Sequence, residues 1–415
     1  MAVQIWRGDA PAVAQQTRVT PANVEIGDVF RLTINGKTIS FTATVATAAN
    51  VNTGLATAWL ASTAPEFIEI LAMISGGDLL LTAKTSGVPF VVTAATVDGG
   101  SSDTQTLTIN TTVAASGPNF WSVSQNWSTG SVPTAGDDIY LVNSAVDILY
   151  GLDQSAVAPT TLNVEQSYTG RIGLPRYNPA GYAEYRDQYL RLIPSVVNIG
   201  RGLGSGSSRI KLDTVSTAVT LNVFNTGRGE DATASVIWKG TSTSNALNVF
   251  RGSMEIATGP AETATLGSLR IVTDPTNGVD AVVTLGAGVT VSTKIEKTGG
   301  SLRFAGVSLA DLVQHDGITT IEAGNVAAVT VRGGTVFYNS TGTLAGAVVS
   351  AAGKLDFSRD LRSKIVAAPI EIFGSSARVN DPFKVVGSLV LDLNETNIPG
   401  LDIGTNIRVS RGAVG

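Results

Sequence analysis

The sequence predicts a mainly β protein: a parallel β-helix, or solenoid, preceded by a small α+β domain and an N-terminal arm. Three observations predict this fold. Glycine accounts for 45 of the 415 residues, and only 15% of the residues are charged, against about 25% in an average soluble domain. No amphipathic helical pattern occurs after residue 119. Short apolar segments recur there behind glycines at a near-constant interval, as in repeat proteins.

One pattern repeats through this second part: glycine, a small or polar residue, an apolar residue, any residue, and another apolar residue. Its occurrences begin at Gly252, Gly267, Gly300, Gly334, Gly353 and Gly387. The intervals of 15, 33, 34, 19 and 34 residues approximate one or two units of about 17, and Gly317 divides one of the longer intervals. Units of strand and turn stack as a parallel β-helix, with glycines at the corners. An array of β-sandwiches is the alternative, although the hairpin dipeptides that it favours are rare after residue 120.

Three segments are predicted along the chain. They are an extended N-terminal arm over 1–17, a small α+β anchoring domain over 18–116, and the parallel β-helix over 117–415. In the α+β domain, Asn35-Gly36 between two alternating strands predicts a type I′ hairpin turn. A helix is predicted over Ala48 to Ala61, because its apolar residues recur on one face and Thr47 can cap it.

Large aromatic side chains mark the arm and the start of the β-helix. Trp6 lies in the arm among glycine, proline and glutamine residues that show no helix or strand period. It either packs on a neighbouring chain, which makes it a candidate partner-binding residue, or folds back on its own domain. Because a solenoid must cover its ends, Phe120, Trp121 and Trp127 are predicted to plug the first coil.

Five of the eight tyrosines lie in one window, from Tyr168 to Tyr189, with arginines between them. The window is longer than one repeat unit and contains prolines, so it is predicted to leave the rod as a loop. Tyrosine and arginine are common in interfaces. The candidate partner-binding residues of this loop are Tyr177, Tyr182, Tyr185, Arg186 and Tyr189. The loop contacts a neighbouring subunit or another protein, forms a platform for a glycan, or folds on its own rod; its residues leave all three interpretations open.

The composition argues against most enzyme chemistry. Without cysteine there is no disulfide framework, zinc–thiolate site or cysteine nucleophile. The single histidine, His315, is followed directly by Asp316, and neighbours in sequence do not orient each other as a catalytic triad requires. The pair Asp137-Asp138 is interpreted as a turn before a strand, and no spacing selects a catalytic pair of carboxylates. We therefore predict a protein that is not an enzyme, with no catalytic residue, metal or cofactor.

Charge and hydropathy bear on two kinds of partner. The 28 basic residues are outnumbered by 33 acidic ones, so the basic footprint of a nucleic-acid-binding protein is missing. No stretch of 18 apolar residues predicts a membrane span, and the N-terminal residues lack the pattern of a secretory signal. The sequence therefore predicts no nucleic-acid partner and no membrane partner. It also predicts that the protein is made in the cytoplasm and used from there, without export by the usual route.

Several segments resemble β-rich structural proteins encoded by tailed bacteriophages and prophages. These segments are Trp6 to Gln15, Val19 to Asp28, Trp121 to Asp138, Tyr168 to Tyr189 and Leu355 to Asp360. The resemblance implies a virion protein with an N-terminal α+β domain and a pectate-lyase-like β-helix. It implies no catalytic residue. In virions, such rods serve as head decorations and as tailspikes.

Within virions, the low charge, the absence of cysteine and the high strand content suit a rigid exterior part. We therefore predict a non-enzymatic structural role on the virion surface, as a capsid decoration or cementing protein made in the cytoplasm of the host bacterium. The expected partners are other copies of the chain, in a homotrimer, and the major capsid protein or another virion protein. The alternative is a tailspike or tail-fibre adhesin that binds or cleaves a glycan of the host surface.

Overall fold

The computed structural model describes residues 2–101, 103–174, 188–204, 209–226, 235–272, 280–394 and, for the main chain only, 407–411. Its first part contains two short helices and eight strands. In chain order they are β1 (Val3–Ile5), β2 (Gln16–Ala22), β3 (Val29–Ile34), β4 (Lys37–Thr42), α1 (Ala48–Ala61), α2 (Pro65–Ile68), β5 (Ile70–Ser75), β6 (Asp78–Ala83), β7 (Thr93–Val97) and β8 (Thr106–Val113).

The α+β domain has its own apolar core between its sheets and α1. Its strands form two antiparallel sheets, in the orders β5-β6-β2-β8 and β4-β3-β7. The predicted helix over Ala48 to Ala61 is confirmed, and the Thr47 side chain accepts a hydrogen bond from the Asn50 N–H at its N-terminus. Leu55 and Trp59 are buried on one face of α1, which explains why an apolar repeat at helical spacing specifies this element.

The second part begins with a 3₁₀ turn, Ser124–Asn126, and continues as strands. The strands are β9 (Asp138–Leu141), β10 (Thr161–Glu165), β11 (Leu190–Arg191), β12 (Val196–Arg201), β13 (Ile210–Asp213), β14 (Thr220–Val223), β15 (Val236–Lys239), β16 (Ala246–Val249), β17 (Ser253–Ile256), β18 (Ala264–Ile271), β19 (Val282–Leu285), β20 (Val289–Lys297), β21 (Ser301–Phe304), β22 (Ser308–Gln314), β23 (Ile318–Ile321), β24 (Asn325–Val331), β25 (Thr335–Tyr338), β26 (Thr343–Leu344), β27 (Ala347–Ser350), β28 (Lys354–Asp356), β29 (Ile365–Val366), β30 (Ile370–Phe373), β31 (Arg378–Asn380), β32 (Leu389–Leu393) and β33 (Ile407–Arg411).

These strands form two long parallel sheets, so the chain is mainly β as predicted. The larger sheet, which we call sheet A, has the order β1-β9-β10-β12-β14-β16-β18-β20-β22-β24-β27-β30-β32-β33, with β26 and β29 beside this path. The smaller one, sheet B, has the order β11-β13-β15-β17-β19-β21-β23-β25-β28-β31. From β10 to β25 successive strands alternate between the two sheets, so the chain adds a strand to each sheet in turn.

One continuous apolar core runs through both sheets. In sheet B, Phe304, Ile321 and Tyr338 are paired in register on β21, β23 and β25, and all three are fully buried. Register matters because a shift by one residue would turn these side chains to the opposite face. The alternation of apolar and other residues behind the glycines is therefore the pattern that builds this core.

Glycines occupy the corners before strands of sheet B. Gly300, Gly317 and Gly334 precede β21, β23 and β25, and all have positive φ. A Cβ atom on Gly317 would collide with the Gly300 carbonyl, and one on Gly334 with the Gly317 carbonyl. By contrast, Gly267 lies within β18 and Gly387 shortly before β32, which are strands of sheet A. The uneven intervals of the pattern arise because it marks two different places in the repeat.

The N-terminal arm is docked on its own chain. Strand β1 pairs in parallel with β9 and is the first strand of sheet A. Trp6 is only 1% exposed, and its ring packs edge-on against Trp127, which packs in the same way against Trp121. The hypothesis that the arm packs on a neighbouring chain, with Trp6 as a partner-binding residue, is thereby corrected: the intramolecular site already buries the indole. The predicted burial of Phe120, Trp121 and Trp127 at this end is confirmed.

Candidate functional site

A cleft of about 830 Å³ lies on the outer face of sheet B, over β11, β13 and β15. Its lining consists of Gln188, Tyr189, Arg191, Lys211, Asp213, Ile237, Lys239, Thr258, Gly259, Pro260 and Glu262. The alternation along the strands explains this composition. On β13, Ile210 and Leu212 point into the core, so the intervening Lys211 and the following Asp213 belong to the outer face.

Pairing between neighbouring strands brings the charged residues of the cleft together. Arg191 on β11 is in register with Asp213 on β13, which is in register with Lys239 on β15. Lys211 is likewise in register with Ile237, which is 9% exposed and gives the cleft an apolar contact surface. Side chains paired in this way lie about 5 Å apart, so they meet although they are distant in sequence.

Tyr189 is fixed in the cleft by a carboxylate and two ammonium groups. Its hydroxyl donates a hydrogen bond to Glu262 Oε1 at 2.8 Å, and Glu262 Oε2 accepts from the Gly259 N–H at 2.9 Å. The Nζ atoms of Lys239 and Lys211 lie 4.4 and 5.7 Å from the centre of its ring, within reach of a cation–π interaction. Burial, followed by the hydrogen bond to Glu262, raises the pKa of the Tyr189 hydroxyl, which therefore stays neutral.

The two lysines of the cleft are loosely compensated. Lys211 is 6% exposed, and its Nζ lies 3.4 Å from the neutral Gln188 Oε1. Burial, and then repulsion from Arg209, lowers the pKa of Lys211 to about 8. Lys239 Nζ lies 3.8 Å from Asp213 Oδ2, beyond hydrogen-bonding distance. Arg191 Nε lies 3.7 Å from the same oxygen, and its Nη1 donates to Asp153 Oδ2 at 3.0 Å. Arg191 is therefore closely paired, whereas the two lysines are not.

Of the candidate partner-binding residues, the structure brings only Tyr189 to the cleft. Tyr177, Tyr182, Tyr185 and Arg186 lie outside the described residues, so their contacts stay a prediction. Sequence reasoning did not select Lys211, Lys239 or Glu262. A signal was present for the lysines, since each is a charged residue in a short apolar strand, but the sequence does not show which strands are neighbours.

The other candidates from the sequence have structural roles. Asp137 Oδ2 accepts hydrogen bonds from the Thr134 N–H and hydroxyl, and Oδ1 accepts from the Ala2 N–H. The Asp137 N–H closes a turn onto the Thr134 carbonyl just before β9, as interpreted, whereas Asp138 is the first residue of β9 and accepts from the Thr161 hydroxyl. His315 Nε2 lies 3.8 Å from Glu296 Oε1, and both side chains are about one-third exposed.

Within the part of the chain that the structure describes, no group of three or more histidine, aspartate or glutamate residues is arranged to hold a metal ion. No helix in that part is long and apolar enough to cross a membrane. The chain matches no family model, no curated protein and no solved structure.

Proposed function

We propose that sheets A and B are the faces of a parallel β-helix, and that the protein is a non-enzymatic structural component of a bacteriophage virion surface, of the head decoration or cementing type. The observation that carries this proposal is the continuous core shared by two parallel sheets. With neighbouring strands about 4.8 Å apart, the strands of sheet A from β9 to β33 would extend over roughly 60 Å. Such a rod suits a stiff exterior part of a particle.

The proposed partners follow from the same reasoning and from the resemblance to virion proteins. The α+β domain would anchor the rod to the major capsid protein or another virion protein. Self-association as a homotrimer is part of the proposal, by analogy with the virion rods that the segments resemble and with the threefold sites of capsid lattices. The proposal also includes synthesis in the host cytoplasm and localisation on the virion surface.

The copy number of the protein in purified particles tests this proposal. Gel densitometry should give a band that approaches the copy number of the major capsid protein. Particles that lack the protein should also lose their contents at a lower temperature than complete ones, and at low salt concentrations that complete ones still withstand. A band at the few copies typical of a tailspike would contradict the head location.

The cleft on sheet B favours a second candidate, a tail-borne adhesin that binds a host surface glycan. Its support is the convergence of Tyr189, Lys211 and Lys239 beside two carboxylates, because ligand sites combine an open cavity with a few well-placed polar groups. Retention of particles on immobilised host polysaccharide, abolished by free polysaccharide, would support this candidate. Particles that pass the same matrix freely would contradict it.

A further inference from the structure

We propose that the cleft over β11, β13 and β15 is a binding site for an acidic saccharide, a sugar chain that carries carboxylate groups beside its hydroxyls. The proposal rests on the second candidate function and adds the chemical class of the ligand. It is carried by a buried ammonium group, by the mixture of charges around it, and by the size of the cleft.

The first argument is the state of Lys211. Its side chain is almost completely buried, yet among the described residues its ammonium group has one weak hydrogen bond, to the neutral Gln188 at 3.4 Å. A buried charge is costly unless it is paired and hydrogen-bonded. The neighbouring ammonium of Lys239 has an ion pair with Asp213 at 3.8 Å, which is too long for a hydrogen bond. An anionic group between these lysines would compensate both, which makes the site suited to an anion.

The second argument is that carboxylates stand close to the cations. Both oxygens of Glu262 accept hydrogen bonds, from Tyr189 and Gly259, and Asp213 Oδ1 accepts from the Val215 N–H at 2.8 Å. Each carboxylate oxygen has more than one lone-pair direction, so these groups keep capacity for hydroxyl donors. A ligand with anionic groups and hydroxyl donors on the same ring matches this mixture, whereas a simple inorganic anion uses only the cations.

The third argument is size and surface chemistry. A volume of about 830 Å³ exceeds the need of one small ion and lies in the range of organic ligand sites, roughly 300–1,000 Å³. Anchoring of a peptide depends on deep apolar or aromatic pockets. Here the lining is mostly polar, with Ile237 and Pro260 as its aliphatic surfaces and the Tyr189 ring held by Glu262. An acidic saccharide therefore fits better than an acidic peptide.

Calorimetric titration of the full-length protein with a galacturonate trimer tests the proposal, with the neutral galactose trimer as the paired ligand. We expect the acidic trimer to bind at least tenfold more tightly, and added salt to weaken it. The Lys211→Met and Lys239→Met variants should each lose at least tenfold in affinity. Lys294→Met is the matched control, because Lys294 is an exposed lysine of sheet A paired with Glu296, and it should bind within twofold of the unaltered protein.

The remaining outcomes decide against the proposal. Equal binding of both trimers, or binding of neither, would overturn it, as would equally tight binding of a pentaglutamate peptide. If Lys211→Met fails to fold, as judged by circular dichroism, the partly exposed Lys239→Met and the salt dependence still test it. Because the titration uses isolated protein, its failure leaves the copy-number experiment on particles unaffected, and the two proposals fail separately.

Discussion

At the scale of single residues, the glycines of the repeat differ although they share one sequence pattern. Gly334 has a φ of 66° and stands against the Gly317 carbonyl. Gly387 has no positive φ, and a Cβ placed on it would meet no atom within 4 Å. The two glycines therefore share one sequence pattern, whereas only the structure tells which of them is required.

Alanine substitutions at these two positions should separate the two cases. We expect Gly334→Ala to lower the free energy of unfolding by more than about 1 kcal/mol, because alanine is strained at positive φ and its methyl group would collide with a backbone carbonyl. Gly387→Ala should change it by less than about 0.5 kcal/mol. Urea denaturation of both variants provides the measurement. Equal effects would show that the corner conformation is not what makes Gly334 necessary.

Two fully buried polar side chains hold the carbonyls of these corners. Lys297 Nζ donates to the carbonyls of Gly300 and Asp316, at 2.7 and 3.1 Å. On the next strand, Gln314 is in register with Lys297, and its Nε2 donates to the carbonyls of Gly317 and Gly333, both at 3.0 Å. The same task is thus performed by an ammonium group in one repeat and by an amide in the next.

The effect of replacing Lys297 on the free energy of unfolding should depend on whether the new side chain can donate a hydrogen bond. Lys297→Gln should be more stable than Lys297→Met by about 1–3 kcal/mol, because methionine removes the ammonium donor from the Asp316 carbonyl and leaves the Gly300 carbonyl with the Ile318 N–H alone. Chemical denaturation at pH 7 measures this difference. The opposite order would mean that relief from burying a charge outweighs the two hydrogen bonds.

Lys297 also predicts a pH dependence. Burial lowers the pKa of Lys297 to about 8, against an ordinary value of 10.5. Between these values the unfolded chain binds more protons than the folded one, so the free energy of unfolding should rise with pH, by up to about 1.4 kcal/mol per unit. Below pH 8, Lys297 should not contribute to the pH dependence of the free energy of unfolding. In Lys297→Gln, this free energy should rise less between pH 8 and 10.5 than in the unaltered protein, and the remaining rise is expected from Lys211. Identical pH profiles of the two proteins would contradict the assignment of the rise to Lys297.

At the scale of elements, four strands of sheet A carry an asparagine ladder. Asn163, Asn198, Asn222 and Asn248 are in register on β10, β12, β14 and β16. Each amide donates to the side-chain carbonyl of the preceding one, at 2.9, 3.1 and 2.9 Å. Each asparagine lies between two apolar residues in the sequence. This pattern indicates a ladder only once the register of the strands is known. The ladder ties consecutive strands together on the face opposite the core.

Alanine variants within the ladder should rank by the number of hydrogen bonds that they break. Asn198 donates to Asn163 and accepts from Asn222, whereas Asn248 only donates within the ladder. We expect Asn198→Ala to cost about 1–3 kcal/mol and Asn248→Ala about half as much, since each net hydrogen bond contributes about 0.5–1.5 kcal/mol. Thermal denaturation of the two variants provides the comparison. An equal or reversed order would argue against a cooperative ladder.

At the scale of the whole molecule, the residues that the structure describes form two separate apolar cores. The larger core contains Trp6 at its first end, although the α+β domain, with its own core around Leu55 and Trp59, follows Trp6 in the chain. The order of residues along the chain is therefore not the order of the cores. The first strand of sheet A, β1, precedes the α+β domain in the chain, whereas all the other strands of this sheet follow it.

Two unfolding transitions are expected in scanning calorimetry, one for each core. Trp6→Ala should lower the free energy of unfolding of the two-sheet part by about 3–5 kcal/mol, the usual effect of removing a buried tryptophan. Its calorimetric transition should move to a lower temperature, and the transition of the α+β domain should not change. Leu55→Ala is the reciprocal control, because it should lower only the transition of the α+β domain. A single transition shifted equally by both variants would show that the cores unfold as one unit.

The sequence predicted the features that depend on local patterns. The glycine repeat, the helix over Ala48 to Ala61 and the burial of Trp121 and Trp127 all follow from periods or composition within a short window. The coil length, by contrast, is irregular: Ser253 on β17 pairs with Val282, 29 residues on, whereas Ser301 on β21 pairs with Ile318, 17 residues on. This irregularity hides which outward residues become neighbours, and the cleft around Lys211 could not be derived without the register.

The docking of β1 has a mechanical consequence. The α+β domain is joined to the two-sheet part by two chain segments, one after Trp6 and one before Phe120, and Val13 and Ser116 of these segments are hydrogen-bonded to each other. A domain joined by one segment can rotate about the backbone dihedral angles of that segment, whereas two segments that are hydrogen-bonded to each other restrict this rotation. Tension applied to the α+β domain would therefore be divided between both segments, and cutting one of them would leave the domain attached through the other.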